Sequence, residues 1–138
     1  MAKSVLLVED EDNIAAALEI MVGRQGYAMS RVDNGGHAVA AITEQHPDLV
    51  ILDVTLPEVS GYEICQRLRD DASFDDVKIL MMTARGSEMD RRKGLALGAD
   101  DFLAKPFAMK DFTDKISALL EAAPTAPAGA PRGPREAR

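Results

Sequence analysis

The sequence predicts an α/β fold built on a doubly wound, five-stranded parallel sheet, and three observations predict it. Short β-rich apolar runs alternate with segments of helical period through the chain. Several of the runs are almost wholly apolar, as strands buried on both faces are. The five successive βα units imply parallel strands, with right-handed crossovers that place helices on both faces.

The elements follow in order. Ser4 to Val8 form the first run, and Ile14, Leu18, Met21 and Val22 then recur at i, i+4, i+7 and i+8 on one helical face, with Gly26 where that helix should stop. Tyr27 to Val32 form the second run, followed by a weaker helical pair, Val39 and Ile42. Asp48 to Leu52 lead to a third helix that Ser60-Gly61-Tyr62-Glu63 opens as a capping box, with Ile64 and Leu68 on its inner face. Val77 to Met82 precede a fourth helix, opened by Ser87 with Asp90 and ended by Gly98. After Asp101 to Ala104, the residues Phe112, Ile116, Leu119 and Leu120 repeat the spacing of the first helix.

With 138 residues, 46% of them hydrophobic, the chain can bury one respectable core, so one domain over residues 2–121 is expected. From Ala122 onward the composition turns to Pro, Ala, Gly and Arg without large hydrophobes, which predicts a disordered or extended tail or linker over 122–138. No stretch approaches the roughly 20 apolar residues that span a bilayer, and the start turns acidic at Glu9, unlike a secretory signal. A cytoplasmic protein without membrane contact is the expectation. Cys65 is the only cysteine, which excludes an intramolecular disulfide and a cysteine metal cluster. The formal charge is −7, and the tail carries Arg132, Arg135 and Arg138 against one acid, so the body is more acidic still. Such a body lacks a basic footprint for phosphate backbones, which argues against direct nucleic-acid binding.

In an open α/β sheet the ligand site lies beyond the carboxyl ends of the strands. The first strand ends in Glu9-Asp10, the third in Asp53, the fourth runs into Thr83, and the fifth leads to Lys105-Pro106. Taken singly, each has a structural reading: an acid at a strand end caps a turn, Thr83 caps a loop, and Lys105 is a surface lysine before a proline. Jointly they have chemical logic. Crowded carboxylates repel, and a hard divalent cation such as Mg²⁺ (or Mn²⁺) relieves that repulsion. One carboxylate can then attack phosphorus to form an acyl phosphate, while the cation, an ammonium and a hydroxyl neutralise the equatorial oxygens.

These positions make the sequence resemble the receiver domains of two-component response regulators, over essentially all of residues 3–121. The matching pieces are VLLVEDE, LVILDVTLPEVSGYE, ILMMTAR and GADDFLAKPF. The resemblance to chemotaxis-type receivers implies the flavodoxin-like strand order 2-1-3-4-5. It implies Asp53 as phosphoacceptor, Asp10 and Asp53 as direct metal ligands together with the Thr55 backbone carbonyl, and Glu9 as a ligand through water. It also implies that Thr83 and Lys105 each hold a phosphoryl oxygen, and that the Lys105-Pro106 peptide is cis. Phosphorylation would draw Thr83 inward, make room for Phe102 on the fifth strand, and reshape the face formed by the fourth helix, fifth strand and fifth helix. Phe102 is equally readable as ordinary core. Thr55 and Arg85 stand two residues beyond Asp53 and Thr83, at positions that the resemblance implies would tune phosphoryl lifetime.

The function so implied is a switch, not a turnover enzyme, that catalyses its own phosphorylation and dephosphorylation. A histidine kinase or histidine phosphotransfer protein would phosphorylate it, and it would act on a downstream protein target as a monomer or weak dimer. The last helix lacks the arginines expected where transcription-factor receivers pair. A phosphorylation-independent docking module is the alternative. A haloacid-dehalogenase-type phosphatase is disfavoured because Thr55 stands where its second acid belongs, and a nucleotide or flavin site because Glu9-Asp10-Glu11-Asp12 replaces a Gly-rich loop. His37 and His46 flank a short helix and read as exposed structural residues, while Met81 and Met82 read as core filler. The chain is open to reading as a stand-alone receiver, a phosphate relay, or a fragment cut at a linker.

Overall fold

The computed structural model describes residues 3–56, 59–83 and 88–121, so the expectations for Ser87 and for the tail lie outside the described residues. Strands β1 (Ser4–Val8), β2 (Ala28–Val32), β3 (Leu49–Asp53), β4 (Lys78–Thr83) and β5 (Asp101–Ala104) alternate with helices α1 (Asp12–Arg24), α2 (Ala38–Gln45), α3 (Gly61–Arg69), α4 (Glu88–Ala96) and α5 (Met109–Glu121). All strand pairs are parallel, in the order β2-β1-β3-β4-β5. This is the flavodoxin-like topology that the motifs imply. β2, β3 and β4 each begin one residue later than the apolar runs suggest, because Tyr27, Asp48 and Val77 belong to the preceding turns.

The alternation of side chains along β1 divides the core. Leu6 and Val8 pack with Ala38 and Ile42 of α2 and with Ile64, Cys65 and Leu68 of α3, joined by Met81 and Phe102. Val5 and Leu7 pack on the other face with Ala15, Leu18 and Val22 of α1 and with Phe112, Ile116 and Leu120 of α5. α1, α3 and α5 turn inward the stripes that their periodicity predicts, with Ile14, Met21 and Leu119 partly buried, whereas α2 buries Ala38 with Ile42 and α4 buries Gly94. Leu49 to Leu52 of β3, the central strand, are all fully buried, which is why that run reads as continuous apolar sequence.

Gly26 and Gly98 have φ of 91° and 115° just past α1 and α4, the left-handed stops expected of them. The capping box at α3 is only half formed. Ser60 Oγ accepts the Glu63 N–H at 3.2 Å, but the Glu63 carboxylate turns outward to Arg67 at 2.6 Å instead of reaching back. His46, exposed, closes α2 in a left-handed conformation, stacks on Phe74 and lies 3.1 Å from Asp76, as a structural residue would. His37 is likewise exposed, and Met81 and Met82 are fully buried. Among the described residues no helix is long and apolar enough to cross a membrane.

The amino-terminal edge of the sheet holds a polar lock that the sequence did not advertise. Arg69, at the end of α3, donates to the carbonyls of Gly98, Phe74 and Val77 at 2.8–2.9 Å and pairs with Asp100 at 2.9 Å. The Asp100 carboxylate also accepts the Ile79 N–H at 2.8 Å. Both side chains are nearly buried, so this network ties α3, β4 and the approach to β5 together away from the carboxyl edge.

Candidate functional site

The carboxyl edge gathers the residues that follow β1, β3, β4 and β5. Asp53 closes β3 and is 3% exposed. Its Oδ1 accepts the backbone N–H of Thr55 at 3.0 Å and the Thr55 hydroxyl at 3.2 Å, and its Oδ2 accepts Lys105 Nζ at 3.1 Å. Thr55 itself is exposed. α3 starts directly against this strand end. Gly61 donates its N–H to the Val54 carbonyl at 3.0 Å, and a Cβ on Gly61 would lie only 2.5 Å from the Asp53 carbonyl oxygen. Glycine is therefore required there by close approach.

Lys105 spans two acids. Its Nζ lies 2.9 Å from Glu9 Oε1 as well as 3.1 Å from Asp53 Oδ2. The Lys105-Pro106 peptide is cis, as the resemblance implies. Lys105 is also tied to Thr83, whose carbonyl accepts its N–H at 2.7 Å. Thr83 is buried at the end of β4, opposite Ala104 in register, so hydroxyl and ammonium come from adjacent strand ends.

Glu9 and Asp10 divide the acidic pair. Glu9 is fully buried, whereas Asp10 is exposed. One carboxylate oxygen from each of Glu9, Asp10 and Asp53 lies within 4.8 Å of the others, and Glu9 Oε2 is buried without a hydrogen-bond partner among the described residues. An orphaned acceptor among crowded hard oxygens fits a hard cation such as Mg²⁺, with the exposed Asp10 on the solvent side.

Environment drives the two buried acids apart. Burial, reinforced by Asp53, pushes the Glu9 carboxyl up to about 7 against the pull of Lys105. Burial pushes Asp53 upward too, but the adjoining Glu9 carboxyl, the Thr55 N–H and Lys105 outweigh it and leave the group below its ordinary range. Burial would lower Lys105, but Glu9 and Asp53 raise it. Near neutral pH Asp53 is thus an anion beside an ammonium, whereas Glu9, at about 7, is close to the midpoint of its titration.

Phe102 lies in the core below this edge, paired with Met81 across β4 and β5 and 6% exposed. α4 presses on it through Gly94, where a Cβ would come within 2.9 Å of Met81 Sδ and 3.3 Å of the Phe102 ring. Arg85 lies outside the described residues. Sequence reasoning missed Arg31, near the end of β2, whose guanidinium reaches the Glu9 carbonyl and Asp12. A cation at the carboxyl end of a strand beside an acidic turn was the available signal.

The chain matches the family model described as the response regulator receiver domain over residues 5–117. It is 38% identical over 123 residues to the phosphate regulon transcriptional regulatory protein PhoB of Rhizobium meliloti (strain 1021), covering 89% of this chain and 54% of that protein. The chain thus spans about half the length of the curated relatives it matches. It superposes with a TM-score of 0.81 and 31% identity on the signal receiver domain of a signal transduction histidine kinase from Syntrophus aciditrophicus, covering 88% of this chain and 92% of that one. It also matches, at TM-score 0.79 and 29% identity over 87% of this chain and 98% of that one, the receiver domain of sensor histidine kinase PA1611 from Pseudomonas aeruginosa PAO1, described with a magnesium ion coordinated in the active site cleft.

Proposed function

Because the chain belongs to the receiver-domain family of two-component response regulators, we propose that it is a phosphoacceptor switch in which Asp53 takes a phosphoryl group from a histidine kinase or histidine phosphotransfer protein. The observation that carries this reading is the bridging of Asp53 and Glu9 by Lys105 at 3.1 and 2.9 Å. A carboxylate kept ionised at a nearly buried strand end, with an ammonium already beside it, is a nucleophile aligned before its substrate arrives.

In the proposed reaction an Asp53 oxygen forms a P–O bond as the P–N bond of phosphohistidine breaks, and the imidazole leaves with a proton. Lys105 balances negative charge on the phosphoryl oxygens, and Thr83 offers them a hydroxyl donor. Asp10, Asp53 and the Thr55 carbonyl would hold Mg²⁺ or Mn²⁺, with Glu9 acting through water, and the ion when bound neutralises charge on the transferring group. The same residues serve hydrolysis of the acyl phosphate, so the chain catalyses its own turnover without being an enzyme for other substrates.

Output is assigned to the face of α4, β5 and α5, with Thr83 and Phe102 as the switch pair and a protein as the target. That face already uses its charges internally, since Lys115 of α5 pairs with Asp101 of β5 at 3.0 Å, which supports a monomer or weak dimer. The cytoplasm, where kinase and phosphodonor meet, is the proposed compartment.

The test is incubation of the whole chain with Mg²⁺ and phosphoramidate, acetyl phosphate or a cognate kinase, followed by intact-mass analysis. Wild type gains one phosphoryl group, and Asp53→Ala gains none. An unchanged wild-type mass under every donor overturns the proposal, and partner affinity that ignores both phosphorylation and Asp53→Ala favours the docking-module reading.

A further inference from the structure

We propose that Arg31 is a positioning residue for the acidic turn, holding the main chain of Glu9 so that Asp10 faces the cation directly and Glu9 through water; this rests on the metal reading given above. Arg31 stands one residue before the end of β2, the edge strand beside β1. Its Nε donates to the Glu9 carbonyl at 3.0 Å, and its Nη1 lies 2.9 Å from Asp12 Oδ1 at the first residue of α1. The Glu9 N–H donates to the Val32 carbonyl at 3.1 Å. The backbone of Glu9 is thus gripped from both sides by β2, through a ladder bond at its nitrogen and a side-chain bond at its carbonyl.

The two arms of the guanidinium do not contribute equally. The Asp12 side chain is 89% exposed, so that ion pair lies in high dielectric and contributes little. The bond to the Glu9 carbonyl is partly buried and falls on the peptide that joins Glu9 to Asp10. The third arm, Nη2, is buried without a partner among the described residues. A donor left unsatisfied is a cost that the fold accepts while the other two arms stay engaged.

Arg31 also places a positive charge beside a site meant for a cation, and this makes the inference testable by sign. If Arg31 acts through its charge alone, its removal relieves repulsion and Mg²⁺ binds more tightly. If it acts by position, removal lets the Glu9-Asp10 peptide wander and Mg²⁺ binds more weakly, by about tenfold as for other residues that orient metal ligands.

The experiment is Mg²⁺ titration of the whole chain by isothermal titration calorimetry, for wild type, Arg31→Met, Arg31→Lys and Asp10→Asn, with amide hydrogen exchange on the metal-free proteins. Expected are a loss of about tenfold in affinity for both Arg31→Met and Arg31→Lys, since a lysine keeps the charge but not the fork. Faster exchange confined to the Glu9–Asp12 turn should accompany it. Tighter binding in Arg31→Met with unchanged binding in Arg31→Lys overturns the inference, as does wild-type exchange in that turn. Wild type that binds no Mg²⁺, or Asp10→Asn that binds it as wild type does, overturns the metal reading itself. Exchange still reports separately whether Arg31 holds the turn.

Discussion

Lys105 and Asp53, separated by 52 positions in the chain, meet at 3.1 Å across the carboxyl edge of the sheet. The contact places a cation against a buried acid, and the consequences extend from chemistry to stability.

Replacing Lys105 by Met leaves Glu9 and Asp53 facing each other without a counter-ion. Loss of one partner from such a cluster costs about 1–3 kcal/mol near neutral pH. The deficit should shrink as pH falls and the carboxyls protonate, because wild type then loses the same attraction. Urea unfolding of both proteins from pH 4 to pH 8 checks this. A deficit that did not change with pH would show that Lys105 contributes packing alone. Phosphorylation by phosphoramidate should slow by about tenfold or more in the same variant.

Glu9 should make metal binding depend on pH. Its folded-state value, raised from 4.5 to about 7, means that folding favours the protonated form. In the metal-free protein this contribution to stability is complete below about 4.5 and is lost as pH rises through about 7. Asp53, lowered, has the opposite sign, and its contribution is lost as pH falls below its ordinary range. A bound cation needs Glu9 ionised, so Mg²⁺ affinity should climb with pH and level off above about 7, with proton release on binding. Calorimetry in buffers of different ionisation enthalpy measures that release. Glu9→Gln should flatten the pH profile.

The Arg69 lock should matter for stability and not for chemistry. Arg69→Met takes the counter-charge from Asp100, which keeps the Ile79 N–H, and a donor from three carbonyls, a loss of about 3–5 kcal/mol. Because the lock lies at the amino-terminal edge, phosphorylation of the folded fraction should proceed at the wild-type rate. Denaturation midpoints and initial phosphorylation rates, measured on the same sample, separate the two effects.

Gly94 should report on the fit of α4 against Phe102. Gly94→Val brings a branched side chain to where even a Cβ lies 2.9 Å from Met81 Sδ, and overpacking of this kind costs about 1–3 kcal/mol. Met81→Ala should recover part of that loss when the two are combined, a coupling that thermal denaturation of the four proteins of a double-mutant cycle reads directly.

Much of this was legible in the residues. Apolar runs bounded by Gly26 and Gly98, and the 3.6-residue stripes of α1 and α5, determine local structure because burial on one face imposes a period on the chain itself. The place of the site was legible for a related reason: in a doubly wound sheet the residues after β1, β3, β4 and β5 must share one edge, so Glu9, Asp10, Asp53, Thr83 and Lys105 could be grouped before any distance was known.

Three things were decided only by tertiary structure. Adjacent acids Glu9 and Asp10 differ completely in burial, because Glu9 is held between the Val32 carbonyl and Lys105 while the next residue faces solvent. Glu63 leaves its capping partner for Arg67, a choice between two reachable neighbours that a motif does not encode. Arg31 and Arg69 find carbonyls in distant elements, which depends on sheet register and helix placement. Periodicity is a property of neighbours along the chain and so is written in the sequence. The destination of a long, flexible charged side chain is a property of neighbours in space, and it exists only once the strands have paired.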